Sequence, residues 1–329
     1  MKKRILLVYT GGTIGMVMGQ DGYTPDGGFD HKIRVAQQEW PEITAAIDWS
    51  WMAIEPPIDS ANMTQQHWLQ MRSRIVAALA QDTYDGVIVL HGTDTLAYTA
   101  AALTFMLHGL SVPVILTGSM RPADTPDTDA WGNLFGAMLA QHTALASGVY
   151  VYFHGRLLSG VRASKFHGDQ DDAFQVLRPE TPLVQTVQPP FDYRSRLHET
   201  RLALVPLYPG LQADVLAAVL SSGVQGVVLE CYGVGTGPAD DAGLMQVLRQ
   251  AAARGQVLVA ISQCPAGTML LGQYAASSQF LQTGVLPSGS MTREAALAKL
   301  MCLLGTDVPV PDIPIWWEKN LCGEYGSLL

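Results

Sequence analysis

Short apolar runs alternate with longer helix-like segments along the first half of the chain. The runs are continuous and contain β-branched residues, as in strands buried on both faces of a parallel sheet; they cover residues 5–9, 86–90, 113–117 and 148–153. Between them the spacing of apolar residues and the Ala and Leu content predict helices at residues 68–79, 95–107 and 133–146. This alternation predicts right-handed βαβ crossovers and a mainly parallel sheet.

The same alternation returns after a proline-rich segment at residues 179–200. Strands are predicted at 203–207, 226–229 and 257–262, and helices at 213–220, 242–254 and 292–304. Thr292 is predicted as the N-cap of the last helix. The pattern predicts an N-terminal α/β domain over 1–186, a linker over 187–202 and a smaller C-terminal α/β domain over 203–329.

Composition narrows the functional classes. A chain of 329 residues that is 48% hydrophobic predicts two globular domains, and its net charge of −9 argues against nucleic acid or an anionic membrane as partner. Residues 5–9 are too short a run for a signal peptide, and no run reaches the length of a membrane span. The four cysteines have no CxxC spacing, so neither a metal site nor a disulfide framework is predicted, and the expected location is cytoplasmic.

Two strand ends carry the residues best suited to chemistry. Thr93 and Asp94 follow the strand 86–90 and precede a helix, where ligands of open α/β sheets bind; the simpler alternative is a helix cap. The first strand ends in TGGTIG at 10–15, which matches neither a dinucleotide fingerprint nor a P-loop. Its glycines allow a ligand to approach the backbone, and Thr13 is a candidate nucleophile beside an oxyanion site; the alternative is a tight turn with a capping threonine.

Three further segments offer polar candidates. The Gly- and Pro-rich residues 22–28 predict a mobile loop with Tyr23 as an acid or base, although most loop tyrosines are only surface residues. Asp59 and Ser60 are placed to take the ammonium and carboxylate of a small zwitterion, unless they only begin a helix. Lys165 could act as the base in a relay with Thr93 and Asp94, or be a solvated charge.

Taken in order, these motifs resemble the bacterial-type L-asparaginases over nearly the whole chain. They are TGGTIG at 10–15, DSANM at 59–63, LHGTDTLAYTA at 90–100, TGSMRP at 117–122, SK at 164–165, DAF at 172–174, LYPG at 207–210 and YGVG at 232–235. The missing leader, the DS pair and MTREAALAKL near the C-terminus are more similar to the cytoplasmic type I branch. The resemblance implies a flavodoxin-like N-terminal domain, a smaller C-terminal α/β domain, and homodimers or homotetramers built from intimate dimers.

The resemblance also implies roles for individual residues. Thr13 falls on the family's nucleophile, Thr93, Asp94 and Lys165 on its second catalytic group, and Tyr23 on the tyrosine of its active-site loop. Asp59 and Ser60 fall on the pair that holds the substrate's amino and carboxylate groups, and Ser119 on a main-chain contact to the side-chain amide. Gly12, Ala61 and Gly92, within the same motifs, complete the expected substrate-binding set, and no cofactor is expected.

Two positions depart from the family. Thr236 replaces a frequent asparagine near the partner subunit's site and cannot make both amide hydrogen bonds, which affects the expected preference between asparagine and glutamine. Several type I relatives bind a second asparagine at a subunit interface through an arginine, whose position holds Glu230 here. Ser164 replaces a threonine in that neighbourhood, while Cys264 keeps the pocket's cysteine. Loss of this effector site is therefore expected.

The expected function is cofactor-independent hydrolysis of L-asparagine to L-aspartate and ammonia through a threonine nucleophile and an acyl-enzyme, with a possible minor glutaminase activity. One alternative is an amidase component of a tRNA-dependent amidotransferase, for which an extra N-terminal domain is expected, whereas Met1 stands only a few residues before the first strand. The other is an amino-acid sensor without turnover, for which two threonines and a lysine relay would be superfluous.

Overall fold

A computed structural model describes residues 2–19, 22–25, 28–143, 145–177, 186–269, 271–272 and 275–325. The chain forms two compact units, Met1–Val176 and Leu177–Leu329. The predicted linker, residues 187–202, belongs to the second unit. Each unit is an α/β structure with its own hydrophobic core.

The first unit is built on a six-stranded sheet in the order β4-β1-β5-β6-β7-β8. Its strands are β1 (Lys3–Tyr9), β4 (Ile47–Ala53), β5 (Gly86–Leu90), β6 (Pro113–Thr117), β7 (Gly148–Phe153) and β8 (Arg156–Ser159). The first five are parallel, and β8 is antiparallel to β7. In chain order the parallel strands run 2-1-3-4-5, the flavodoxin-like order that the resemblance implies.

Among the described residues of this unit, two small antiparallel pairs and five α-helices accompany the sheet. The pairs are β2 (Met16–Gly19) with β3 (Gly22–Pro25), and β9 (Ala163–Lys165) with β10 (Phe174–Val176). The helices are α1 (Phe29–Ala36), α2 (Pro41–Ala46), α3 (Gln65–Gln81), α4 (Leu96–Met106) and α5 (Ala130–His142). The prediction of a loop at residues 22–28 was wrong for 22–25, because their backbone groups pair with β2 despite the glycine and proline content.

Helices pack on both faces of the sheet. Because neighbouring residues of a strand point to opposite faces, each strand contributes side chains to both cores. Leu6 and Val8 of β1 pack into the core that includes α3 and α4, whereas Ile5 and Leu7 pack into the core that includes α1, α2 and α5. This two-sided burial explains why the four strands predicted from continuous apolar runs are present in the structure.

An aromatic cluster forms part of the second of these cores. The Tyr9 ring, at the end of β1, is 5.6 Å from that of Phe29 and 5.3 Å from that of Trp51. Phe29, at the start of α1, is also 6.0 Å from Trp131. Both ends of the segment from residue 10 to residue 28 are therefore fixed to the same buried rings.

The second unit contains a four-stranded parallel sheet in the order β11-β12-β13-β14. The strands are β11 (Leu202–Pro206), β12 (Gly226–Cys231), β13 (Val257–Ser262) and β14 (Leu286–Pro287). The helices are α6 (Ala213–Ser221), α7 (Ala242–Ala253), α8 (Ala275–Gln282), α9 (Arg293–Gly305) and α10 (Ile313–Trp317). Thr292 caps α9 as predicted, since its side chain accepts the amide hydrogen of Ala295.

A fully buried ion pair joins α9 to the segment after α10. Lys299 Nζ is 2.8 Å from Glu324 Oε1, and both side chains are 0% exposed. The ammonium also donates to the carbonyls of Trp317 and Lys319, at 2.8 and 2.6 Å. These contacts of Lys299 hold residues 317–324 against α9.

Candidate active site

The turns that follow β1, β4 and β5 meet at one edge of the first unit's sheet. These three strands are neighbours and parallel, so their carboxyl ends lie side by side. Gly12 has a φ of 88°, and a Cβ atom there would overlap the backbone of Gly92. A Cβ on Gly92 would in turn lie 2.5 Å from Ser60 Oγ. No side chain fits at either glycine, so the TGGTIG, DSANM and LHGTDT segments can come into contact.

Thr10 joins the same turns through hydrogen bonds. Its amide and its hydroxyl both donate to the Leu90 carbonyl, at 3.0 and 2.9 Å, and its own carbonyl accepts from the Ile58 amide at 2.7 Å. Thr10 is 1% exposed. The first threonine of TGGTIG is therefore structural, and its hydroxyl is committed to β5.

Thr13 lies directly beyond this contact, at the start of a short 3-10 helix, Thr13–Gly15. It is half-buried, and its backbone carbonyl accepts from the Met16 amide. Gly15 is packed against the Tyr9 ring, which holds the end of this turn on the aromatic cluster. The sequence places a threonine where the chain leaves the edge of the sheet, next to Gly12 and its contact with Gly92.

Thr93, Asp94 and Lys165 form a hydrogen-bonded group. Lys165, the last residue of β9, donates from Nζ to Thr93 Oγ1 at 3.0 Å and to Asp94 Oδ1 at 2.8 Å. The side chain of Lys165 is 19% exposed and that of Asp94 is 63% exposed, whereas Thr93 as a whole is only 7% exposed. The group thus runs from solvent to a buried hydroxyl.

Asp59 and Ser60 lie at the start of another 3-10 helix, Ser60–Asn62. Asp59 Oδ1 accepts the amide hydrogen of Ala61 at 3.1 Å, and the Asp59 side chain is exposed. Ser60 is 3% exposed and packs against Gly92. The carboxylate of Asp59 is therefore oriented locally while it still faces solvent.

Ser119 follows β6 and is held by two residues of the α5 region that sequence reasoning missed. The carboxylate of Asp129 accepts the amide hydrogens of Met120 and Arg121, at 2.8 and 3.0 Å. Asn133 donates to the Gly118 carbonyl at 3.0 Å. A polar residue inside an apolar helix was the available signal, because such a residue needs a buried partner.

His91 was also passed over and is fully buried. Its Nδ1 is 2.7 Å from the Gly92 carbonyl, and its Nε2 is 2.9 Å from Thr99 Oγ1, which accepts from Trp68 Nε1 at 2.8 Å. The arrangement fits a neutral imidazole that donates to Gly92 and accepts from Thr99. Burial lowers the pKa of His91 to about 4. The buried imidazole therefore stabilises the turn at Gly92 through its hydrogen bond to the Gly92 carbonyl.

The remaining predicted residues are placed as follows. Tyr23 lies in β3, and its side chain is outside the described residues. Thr236 closes a short turn of the second unit, where its amide donates to the Tyr232 carbonyl at 3.0 Å. Glu230, at the end of β12, has a side chain that is 7% exposed and accepts from Arg293 Nε at 2.6 Å.

Neither a metal-binding cluster nor a membrane-spanning helix is found in the part of the chain that the structure describes. There, no three or more His, Cys, Asp or Glu residues are grouped so that they could hold a metal ion. Within those same ranges, no helix combines the length and apolar character required to cross a bilayer.

Family models cover both units. The model described as "Asparaginase, N-terminal" matches residues 4–196, and that described as "Glutaminase/Asparaginase C-terminal domain" matches residues 201–313. The chain belongs to the asparaginase family. It is accordingly a hydrolase of amide bonds, and the family resemblance drawn from the motifs is confirmed.

Individual relatives extend the same similarity. The chain is 35% identical to L-asparaginase 1 of Escherichia coli K12 over 337 residues, which cover 98% of both proteins. It is 36% identical to a glutamyl-tRNA(Gln) amidotransferase component of Aeropyrum pernix over 294 residues, 82% of this chain and 67% of that protein. The crystal structure of L-asparaginase I from Vibrio cholerae aligns over 99% of this chain and all of that one, with a TM-score of 0.87 and 31% identity.

Proposed function

We propose that the protein hydrolyses L-asparagine to L-aspartate and ammonia through a threonine nucleophile. The observation that carries the proposal is the contact of Lys165 with Thr93 and Asp94, at an edge where Gly12 also meets Gly92. Family membership supports amide hydrolysis, and the match over 98% of both chains to L-asparaginase 1 supports asparagine as the substrate.

In the proposed first step, Thr13 Oγ1 attacks the side-chain amide carbon of asparagine. The proton of the hydroxyl passes through the group formed by Thr93 and Lys165, with Asp94 holding the lysine. Backbone amides beside Gly12 and Gly92 stabilise the negative charge on the carbonyl oxygen. The C–N bond then breaks, the nitrogen takes up the proton, and ammonia leaves a β-aspartyl ester on Thr13.

In the second step, water attacks that ester and gives its proton to the same group. The carbon–oxygen bond to Thr13 breaks, the hydroxyl is restored and L-aspartate is released. During both steps Asp59 holds the substrate's ammonium and Ser60 its α-carboxylate. Ser119 contacts the side-chain amide, and Tyr23 acts as an acid or base over the first threonine. No cofactor takes part.

Ammonia release from purified protein, with asparagine and glutamine side by side, tests this function. Rapid release from asparagine that Thr13→Ala removes supports it. Tight binding of asparagine without release of ammonia would instead indicate a sensor.

A tRNA-dependent amidotransferase component is the second candidate, and its support is the 36% identity to the Aeropyrum pernix protein. Only 67% of that relative is matched, compared with 98% of L-asparaginase 1. Conversion of glutamyl-tRNA to glutaminyl-tRNA by the purified protein with its partner subunits would favour this candidate. Free asparagine should then be a poor substrate.

We further propose that the active form is at least a homodimer, since the resemblance places each site beside a neighbouring subunit. Sedimentation at the concentration used for the assay tests this. Full activity in a species that sediments as a monomer would contradict the assembly without affecting the chemistry.

A further inference from the structure

Thr95, the second threonine of the TDT sequence, uses its hydroxyl in an unexpected way. It stands at the N-cap position of α4, yet its side chain makes no capping hydrogen bond. Instead, Thr95 Oγ1 donates to the Ser60 carbonyl at 2.8 Å. A residue type that normally stabilises its own helix here stabilises a turn 35 residues earlier in the chain.

The turn that receives this bond follows Ile58, whose amide donates to the Thr10 carbonyl at 2.7 Å. Its internal hydrogen bonds are local, from the Asn62 amide to the Asp59 carbonyl and from the Met63 amide to the Ser60 carbonyl. The bond from Thr95 reaches this turn from a distant part of the chain. The contact of Gly92 with Ser60 limits the turn sterically but does not attract it.

We propose that Thr95 is a positioning residue for substrate binding, which sets the turn of Asp59 and Ser60 at the correct distance from Thr93. This rests on the proposed function, in which that turn holds the two charged ends of asparagine. Thr95 follows Thr93 and Asp94 directly in sequence, so a single hydroxyl connects the catalytic loop to the turn that orients the substrate. Its loss should affect binding while the relay of Thr93, Asp94 and Lys165 keeps its own contacts.

Three variants separate this role from a general effect on α4. Thr95→Val keeps the shape and the β-branching but places a methyl group against the Ser60 carbonyl. Thr95→Ser keeps the hydroxyl. Thr104→Val is the matched control, because Thr104 lies on the same helix and its hydroxyl donates to a carbonyl of that helix, Ala100, at 2.7 Å.

The measurements are the steady-state kinetics of ammonia release from asparagine and the binding of L-aspartate by calorimetry. Aspartate carries the same ammonium and α-carboxylate as the substrate, so its affinity reports the turn without any chemical step. For Thr95→Val we expect KM and the aspartate Kd to rise together by roughly tenfold, which is the change in affinity expected for the loss of one hydrogen bond. The kcat should stay within about threefold of wild type. Thr95→Ser should restore both constants, and Thr104→Val should change neither.

Other outcomes would overturn the proposal. An unchanged KM and aspartate Kd in Thr95→Val would show that the turn holds its position without this bond. A fall in kcat alone would place the effect of Thr95 on its neighbours Thr93 and Asp94 instead. Equal effects of Thr95→Val and Thr104→Val would indicate nonspecific weakening of α4. If wild-type protein releases no ammonia from asparagine, the proposed function fails, while the aspartate measurements still judge the role of Thr95.

Discussion

Lys165 and Thr93 lie 72 residues apart in sequence, and the ammonium nitrogen of one is 3.0 Å from the hydroxyl oxygen of the other. Because the proposed mechanism uses Lys165 to move a proton and not to bind substrate, Lys165→Met should lower kcat by at least about 10²-fold with little change in KM. Steady-state kinetics decide this, with Lys32→Met as control for loss of a positive charge at an ion pair elsewhere, to Asp124. A rise in KM alone would make Lys165 a substrate clamp.

Thr13 should be required for the covalent step. Thr13→Ala is expected to reduce kcat by about 10²–10⁴-fold, because no hydroxyl remains to form the ester. Thr10→Val is an informative comparison: it removes a hydroxyl from the same motif that is already committed to Leu90. Its main effect should be on the melting temperature. Near-normal turnover in correctly folded Thr13→Ala protein would exclude Thr13 as the nucleophile.

Asn133 should matter for both stability and activity. Its side chain donates to Gly118 and Asp129, and its oxygen accepts from the His154 amide at 2.9 Å. Asn133→Leu leaves these groups unpaired in a buried site, so unfolding by urea should show a loss of roughly 2–4 kcal/mol. The Ser119 turn should also shift and lower kcat/KM. An unchanged midpoint of unfolding would show that water replaces the amide.

The buried His91 predicts a specific pH dependence of stability. Its pKa is lowered to about 4 in the folded protein, from an ordinary value of 6.5, by burial. Its contribution to stability is therefore complete above pH 6.5 and is lost as the pH falls towards 4, because only the unfolded chain takes up the proton in that window. The loss should be on the order of 3 kcal/mol.

Urea unfolding from neutral to acid pH checks this. His91→Gln, which has no titrating group, should flatten the profile between pH 6.5 and 4 relative to wild type. His142→Gln serves as the control, because His142 is exposed on the surface at the end of α5. Parallel profiles for wild type and His91→Gln would show that His91 takes up its proton equally in the folded and unfolded chain.

The rate should depend hyperbolically on asparagine concentration. The resemblance to type I relatives implies an arginine at position 230, whereas here the Glu230 carboxylate is buried against Arg293 at 2.6 Å. A second asparagine would have to bring its own carboxylate next to Glu230, so the Hill coefficient should be near one. A sigmoidal curve that Glu230→Gln makes hyperbolic would show that the pair forms an effector site after all.

The sequence predicted the buried strands that consist of continuous apolar runs. Residues 86–90, 113–117 and 148–153 are strands with the predicted bounds. β4 was missed because IDWSWMA mixes tryptophan with polar residues at the edge of the sheet, where one side of the strand has no neighbour. The β2–β3 pair was missed because glycine and proline normally interrupt strands.

Within the site, residue types were easier to predict than their connections. A threonine next to an aspartate after a strand indicated chemistry, but its distance from Lys165 depends on how β9 folds back. An apolar helix that contains Asn133 or Lys299 indicates that a polar group is buried, but the partners of these residues, Gly118 and Glu324, follow from packing. A threonine at a helix start usually caps that helix, but tertiary contacts direct the Thr95 hydroxyl to the Ser60 carbonyl instead.

The contact of the Tyr9 and Phe29 rings makes the intervening chain a closed loop in the polymer sense. Once its ends are joined, the entropy lost by such a loop grows only with the logarithm of its length. Insertions or deletions around the β2–β3 hairpin should therefore have a small effect on the stability of the sheet, because the contact of the Tyr9 and Phe29 rings holds the two ends of the loop. The length and composition of this loop can therefore vary while Thr13, close to its fixed beginning, keeps its place.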